Sequence, residues 1–248
     1  MSQPIDADLT RSREFLHDLR NSAEVVARNP VLPLLTFVLA LGTQAQLLWV
    51  LGPHGGFGQL IGLLSTIAMA GWVGTQRIWI QRGFHGQTVG AGELVPLTAS
   101  FVPRFIVLGI VVTLPTVAFF QLSIVLVHDP RSLLTAWFVV PIVIAVVTDV
   151  ALTFVAPALA FDTPRVRDAF RIGVRLLRDD WPRCAWYALI PPFALVLVAR
   201  LVPRSALSAT IGGLVAIAAH MLGLWFKGAI AGYYLRRRPV AGNESADF

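Results

Sequence analysis

Apolar residues run along this chain in six long blocks, and polar residues collect between them. The blocks lie at roughly 31–51, 58–80, 104–127, 133–158, 184–202 and 208–235. About 20 apolar residues cross the hydrocarbon core of a bilayer as an α-helix. In hydrocarbon each backbone polar group must find its partner within its own segment or in a closed barrel. The pattern therefore predicts an all-α fold, a polytopic membrane bundle of about six transmembrane helices. The fifth block is short and carries Pro191-Pro192. Proline removes backbone donors, so a kink is expected there.

Three of the polar stretches predict amphipathic interfacial helices. In 164–179, Thr163 can act as N-cap and Pro164 suits the first helical position. Arg167, Arg171, Arg175 and Arg178 follow at spacings of four, four and three, which lines them on one face. Val166, Phe170, Val174 and Leu177 form an adjacent apolar stripe. Such a helix either lies in the headgroup plane, arginines toward phosphates, or caps the bundle, and both can hold together. The other two stretches are 9–28, with Phe15, Leu16, Leu19, Ala23 and Val26 on one side, and 91–101, with Leu94, Leu97 and Phe101. The chain divides into an amphipathic segment 1–30, a transmembrane domain 31–235 and a tail 236–248.

The units recur. Pro30, Pro103 and Pro182 each open an odd-numbered block with Arg28, Arg104 or Arg183 nearby, at intervals of 73 and 79 residues. Gln76-Arg77, Asp149 and Lys227 follow the three prolines at nearly one offset. Three helical hairpins, each preceded by an interfacial helix, form a possible three-fold pseudo-repeat.

Composition agrees with a lipid solvent. Only 14% of the 248 residues are charged, against about 25% in soluble domains. All but one of the 20 basic residues are arginine, the exception being Lys227, a bias that points to a GC-rich bacterial genome. The net charge of +6 raises nucleic acid as a partner. The arginines flank apolar blocks, however, and no reader motif is present, so anionic lipid headgroups are the expected partner. Membrane protein partners are a further possibility. The even loops and the start of the tail carry most arginines, including Arg82, Arg165, Arg236, Arg237 and Arg238. By the positive-inside rule both termini are expected in the cytoplasm, with the chain in a bacterial inner membrane. Asp6, Asp8, Glu14 and Asp18 stand where a signal peptide would be basic, so the first block is expected to be retained. The single cysteine, Cys184, excludes an intrachain disulfide.

Chemistry-bearing residues inside the blocks are few. Asp149 and Lys227 each lie about nine residues from the cytoplasmic end of a block, hence ~13 Å deep. Equal depth and opposite sign suit a salt bridge that fixes helix register. A proton or ion relay is the functional alternative, and Lys227 snorkelling to the interface is a third. Arg77 is shallower and can join them, and His220 lies mid-block in the sixth helix. No metal-ligand spacing, cofactor motif or catalytic motif is visible. "GPHGGFG" at 52–58 lacks the ending of a phosphate loop and reads as an outer turn. Gly71 with Gly74, Gly58 with Gly62, and Gly228 with Gly232 predict close helix contacts within the chain.

The stretch "APALAFDTPRVRDAFRIGVRLLRDDWPRCAWYALI", 156–190, carries Ala169, Gly173, Leu176 or Leu177, and Trp181 in a spaced pattern. It resembles the membrane domain associated with glycerophosphoryl diester phosphodiesterases and its stand-alone six-helix relatives. Gly173 stands where that pattern usually has serine, and "RNPVLPLL" fits its entrance more loosely. No phosphodiesterase catalytic domain accompanies it, so the resemblance implies a membrane module and no hydrolase activity. The expected function is non-enzymatic: organising lipids or partner proteins at the cytoplasmic leaflet through Arg167, Arg171, Arg175 and Arg178. The alternative is a transporter or channel for a small solute, ion or proton-coupled substrate, using Asp149, Lys227 and His220, with Arg77 in the charge network.

Overall fold

A computed structural model describes residues 3–50, 55–126, 140, 143–200 and 208–238, with some side chains within these ranges outside the description. The described residues form helices joined by short turns, with no strand among them. In chain order the helices are α1 (Gln3–Arg28), α2 (Val31–Val50), α3 (Gly55–Phe84), α4 (Ala91–Leu126), α5 (Val143–Leu152), α6 (Val155–Phe161), α7 (Val166–Asp179), α8 (Trp181–Arg200) and α9 (Ser208–Arg237). The all-α reading holds. The segments 128–132 and 203–207 lie outside the described residues, and in the "GPHGGFG" segment helix begins at Gly55.

Asn29-Pro30 turns the chain sharply. The amide of Asn29 donates to Val26 O at 3.2 Å, its side chain to Val25 O at 2.8 Å, and its carbonyl accepts from Leu32 N at 3.0 Å. One residue thus ends α1 and starts α2, and the segments Thr10–Arg28 and Val31–Gly42 meet at 88°. After α3, Gly86 takes φ 71° and Gln87 N returns to Arg82 O at 2.9 Å. Only glycine adopts that backbone without strain, so it closes the helix end.

Four boundaries differ from the sequence reading. The 91–101 helix and the following block are one helix, α4, with Pro96, Pro103 and Pro115 inside it. Each proline forfeits one backbone bond, while Phe101, Phe105 and Leu108, on either side of Pro103, are buried in the core and hold the helix together. α8 starts at Trp181, ahead of the fifth apolar block, and stays helical through Pro191-Pro192, both buried. The fourth block is divided instead: α5 and α6 meet at 42°. Thr153 Oγ1 there donates to Asp149 O at 2.8 Å and Val150 O at 3.1 Å, a back-bond that bends helices. Finally, α7 starts at Val166 with Arg165 as N-cap. Thr163 Oγ1 accepts from Arg165 N at 3.2 Å, forming a turn before the helix rather than its cap.

α3 is the central element and packs on α1, α2, α4, α6 and α9. Its small face permits this. A Cβ on Gly71 would overlap Thr98, and one on Gly74 would overlap Phe101, both on α4. α9 packs on α1 where Gly228 faces Ser22. One aromatic core joins Phe15, Phe105, Phe154, Tyr187, Phe226 and Tyr233, and a second joins Val26, Leu32, Trp72, Trp79, Ile80 and Leu224. Both gather toward the end of the bundle that holds the C-terminus of α9, here termed the basic end. Away from it, large apolar residues are exposed, among them Leu41, Leu63, Leu114, Leu122, Val147 and Leu197. Among the described residues one helical stretch, Ala91–Ser123, is long and apolar enough to cross a membrane, or up to three if each bent pair counts as one span.

Candidate functional site

The basic end is closed by three neighbouring arginines that fan out. Successive helical residues are about 100° apart around the axis, so Arg236, Arg237 and Arg238 leave α9 in three directions. Arg236 reaches α1 and holds Asp18 with both terminal nitrogens, at 2.7 and 2.5 Å. Arg237 lies 3.9 Å from Asp180, at the α7–α8 junction. Arg238 lies 3.5 Å from Asp162, which caps α6.

Each acid also accepts from a tyrosine hydroxyl. Tyr187 donates to Asp18 at 2.5 Å, Tyr233 to Asp180 at 2.7 Å, and Tyr234 to Asp162. Tyr233 and Tyr234 stand four residues before Arg237 and Arg238, on the same faces of α9. Tyrosine and arginine therefore meet the same acid from one side. The hydrogen bonds to Asp18 hold the Arg236 guanidinium above its ordinary pKa, against the opposing effect of its partial burial.

Asp162 and Asp180 are thus both tied into the clasp, while Asp179 stays at the surface, against Arg175 and Arg178. The first residues assigned to the tail, Arg236 and Arg237, belong to α9. A signal was present in "YYLRRR", where two Tyr–Arg pairs are four apart. The acids that complete it are up to 218 residues away. Beside Asp18 and Arg236 opens a cleft of about 540 Å³, floored by Gly83 and Gly232 and edged by Glu24, Arg28 and His85.

α7 docks on this end by its smallest residues. Ala169 is fully buried, and a Cβ on Gly173 would lie 2.6 Å from Val155 N and 2.8 Å from Phe154 C. Val166, Phe170 and Leu177 pack beside them, while Val174 is 45% exposed. The docked stripe is thus rotated from the expected one, because close approach to α6 needs Ala169 and Gly173 at its centre. The opposite face carries Arg167, Arg171, Arg175 and Arg178, all exposed. Asp168 lies 3.9 Å from Arg171, and Asp179 lies 3.5 Å from Arg175. Four arginines over two aspartates leave the face basic.

The third group is the buried polar set. Lys227 Nζ donates to Gln76 Oε1 at 3.3 Å. Gln76 Nε2 donates to Thr36 Oγ1 at 2.9 Å, as does Trp72 Nε1 at 3.0 Å, and Thr36 donates to Leu32 O at 2.8 Å. The chain links α9, α3 and α2. Arg77 is 6% exposed, donates to Val73 O at 2.7 Å and lies 5.8 Å from the Phe105 ring centre. Lys227 feels both the attraction of Asp149 and the repulsion of Arg77. No ion pair within 4.0 Å joins Asp149 and Lys227 among the described residues. Asp149 faces outward on α5, and the nearer partner of Lys227 is Gln76. The His220 side chain lies outside the described residues. Gln76 and Thr36 were missed as partners; a buried glutamine beside a buried arginine was the signal.

No known protein family matches the chain, and neither does any curated protein or solved structure.

Proposed function

We propose that this chain is a six-span membrane protein that gathers anionic lipid at the cytoplasmic leaflet through the arginine face of α7, without catalysis. One observation carries the reading. α7 is docked rigidly by Ala169 and Gly173, so its four arginines face outward beside exposed Val174 and Trp181, the latter 44% exposed. Tryptophan flanked by arginine and an apolar residue is the composition of a membrane–water boundary. The apolar side of α7 is spent on the bundle, so the helix meets headgroups edge-on. The 88° turn between amphipathic α1 and apolar α2 supports the same placement, since it relates a surface helix to a span. The six blocks, the exposed apolar residues and the arginine distribution support six spans with cytoplasmic termini in a bacterial inner membrane.

The likeness of 156–190 to the phosphodiesterase-associated membrane domain is part of this proposal. The close-packing role of Ala169 supports it, since that alanine is a position of the pattern; Gly173, where the pattern usually has serine, departs from it.

The test is lipid enrichment around the intact protein in mixed bilayers, read with labelled phosphatidylglycerol and phosphatidylcholine. Enrichment of phosphatidylglycerol that falls with salt and is lost on replacing Arg167, Arg171, Arg175 and Arg178 by glutamine supports the function. Equal enrichment in the quadruple variant removes it. A C-terminal reporter found active outside the cytoplasm removes the topology.

A second reading, passage of a solute, is favoured by the chain Lys227–Gln76–Thr36 crossing the bundle interior. Ion or solute flux in liposomes that stops on Lys227→Met would establish it.

A further inference from the structure

Arg77 poses a problem of charge. Its guanidinium is buried among α3, α4 and α9, and its Nε has no hydrogen-bond partner. Nη1 is taken by Val73 O, and Phe105 covers one side. No acid lies within 4.0 Å of it among the described residues. A second cation, Lys227, is close enough for the two charges to repel, and its one described hydrogen bond goes to a neutral amide. Asp149 is exposed on α5, and the charge it acts on is that of Lys227. Burying a guanidinium is costly unless an anion or full hydrogen bonding compensates it.

The unoccupied atom indicates the missing partner. Nε and Nη2 form the side-on edge of a guanidinium, the edge that takes two oxygens of one carboxylate or phosphate. An ammonium nearby adds a third donor and the remaining charge. Gln76, which receives Lys227, is itself held by Thr36, so the lysine is positioned before any ligand arrives.

We propose that Arg77 and Lys227 form a binding site inside the bundle for one oxoanion group, a carboxylate or phosphate, gripped by the side-on edge of Arg77 and the ammonium of Lys227. The group belongs either to a free anion or to a lipid headgroup entering from the side, and the chemistry of recognition is the same. The site is separate from the arginine face of α7.

Lys227 is the only lysine of the chain, so protein labelled with ¹⁵N at lysine Nζ gives one side-chain signal that reports directly on the site. Full-length protein in phosphatidylcholine nanodiscs is titrated with acetate or phosphate replacing chloride at constant ionic strength. A parallel arm adds phosphatidylglycerol in chloride alone. A saturable shift of the Lys227 signal in either arm supports the site, and the responding arm identifies the source. Arg77→Gln and Arg77→Met each lose the charged fork and leave Lys227 the only lysine, and each is expected to abolish the saturable shift. Glutamine at the four α7 arginines leaves the response intact, which separates this site from the lipid-gathering face. A signal that follows ionic strength alone, responds equally to chloride, or shifts identically in folded Arg77→Gln or Arg77→Met protein overturns the proposal.

Discussion

Replacing Asp18 by alanine probes the clasp at its most buried point. Asp18 is 2% exposed and accepts from Tyr187 and from two nitrogens of Arg236. The substitution leaves the Tyr187 hydroxyl, on a residue 1% exposed, without its partner. A stranded buried hydroxyl costs about 1–3 kcal/mol. Removing one member of a buried charge pair costs about 3–5 kcal/mol when the other stays buried. Arg236 is 46% exposed and turns to water, so its share is discounted to about 1–2 kcal/mol. The sum is a loss of about 2–5 kcal/mol for Asp18→Ala. Tyr187→Phe removes one hydrogen bond and leaves Asp18 with Arg236, at about 1–1.5 kcal/mol. The double variant strands no hydroxyl and should cost less than the two singles added, with coupling of about 1 kcal/mol or more. Stepwise detergent unfolding followed by tryptophan emission measures all four proteins. Strict additivity, or Asp18→Ala within about 0.5 kcal/mol of the parent, refutes the clasp as a structural tie.

Gly173→Ser is expected to destabilise by about 1–3 kcal/mol and loosen α7, since the new Cβ meets backbone of Phe154 and Val155; protease nicking between α6 and α7 reports it. Thr36→Val strands the donors of Trp72 and Gln76, costing about 2–4 kcal/mol in the same unfolding assay, while Thr36→Ser keeps the hydroxyl and most of the stability. Arg237→Ala and Arg238→Ala each cost under about 1 kcal/mol, because their contacts, at 3.9 and 3.5 Å, are long and near water.

The helical elements were legible because local rules specify them. Apolar run length anticipated α2, α3 and α9, and Asn29-Pro30 marks the turn into α2. Proline misled at Pro103, where a continuous helix was found. A sequence shows the lost hydrogen bond but not the packing of Phe101 and Phe105 that offsets it. The bend at Thr153 was hidden for the opposite reason, since a threonine in an apolar run shows no sign of bonding back to Asp149 O.

For the sites, sequence alone determined which faces exist. The arginine spacing of α7, the Tyr–Arg pairs of α9 and the depth of Lys227 are properties of a 3.6-residue helix, written within a few turns of chain. Only the tertiary structure decided what those faces meet. Arg236 chose Asp18, Lys227 chose Gln76 rather than Asp149, and Gly173 rather than Val174 became the contact of α7. The reason is physical: helix periodicity sets an angle around one axis, whereas a partner is set by how closely two axes approach. That approach depends on glycines and aromatic residues distant along the chain.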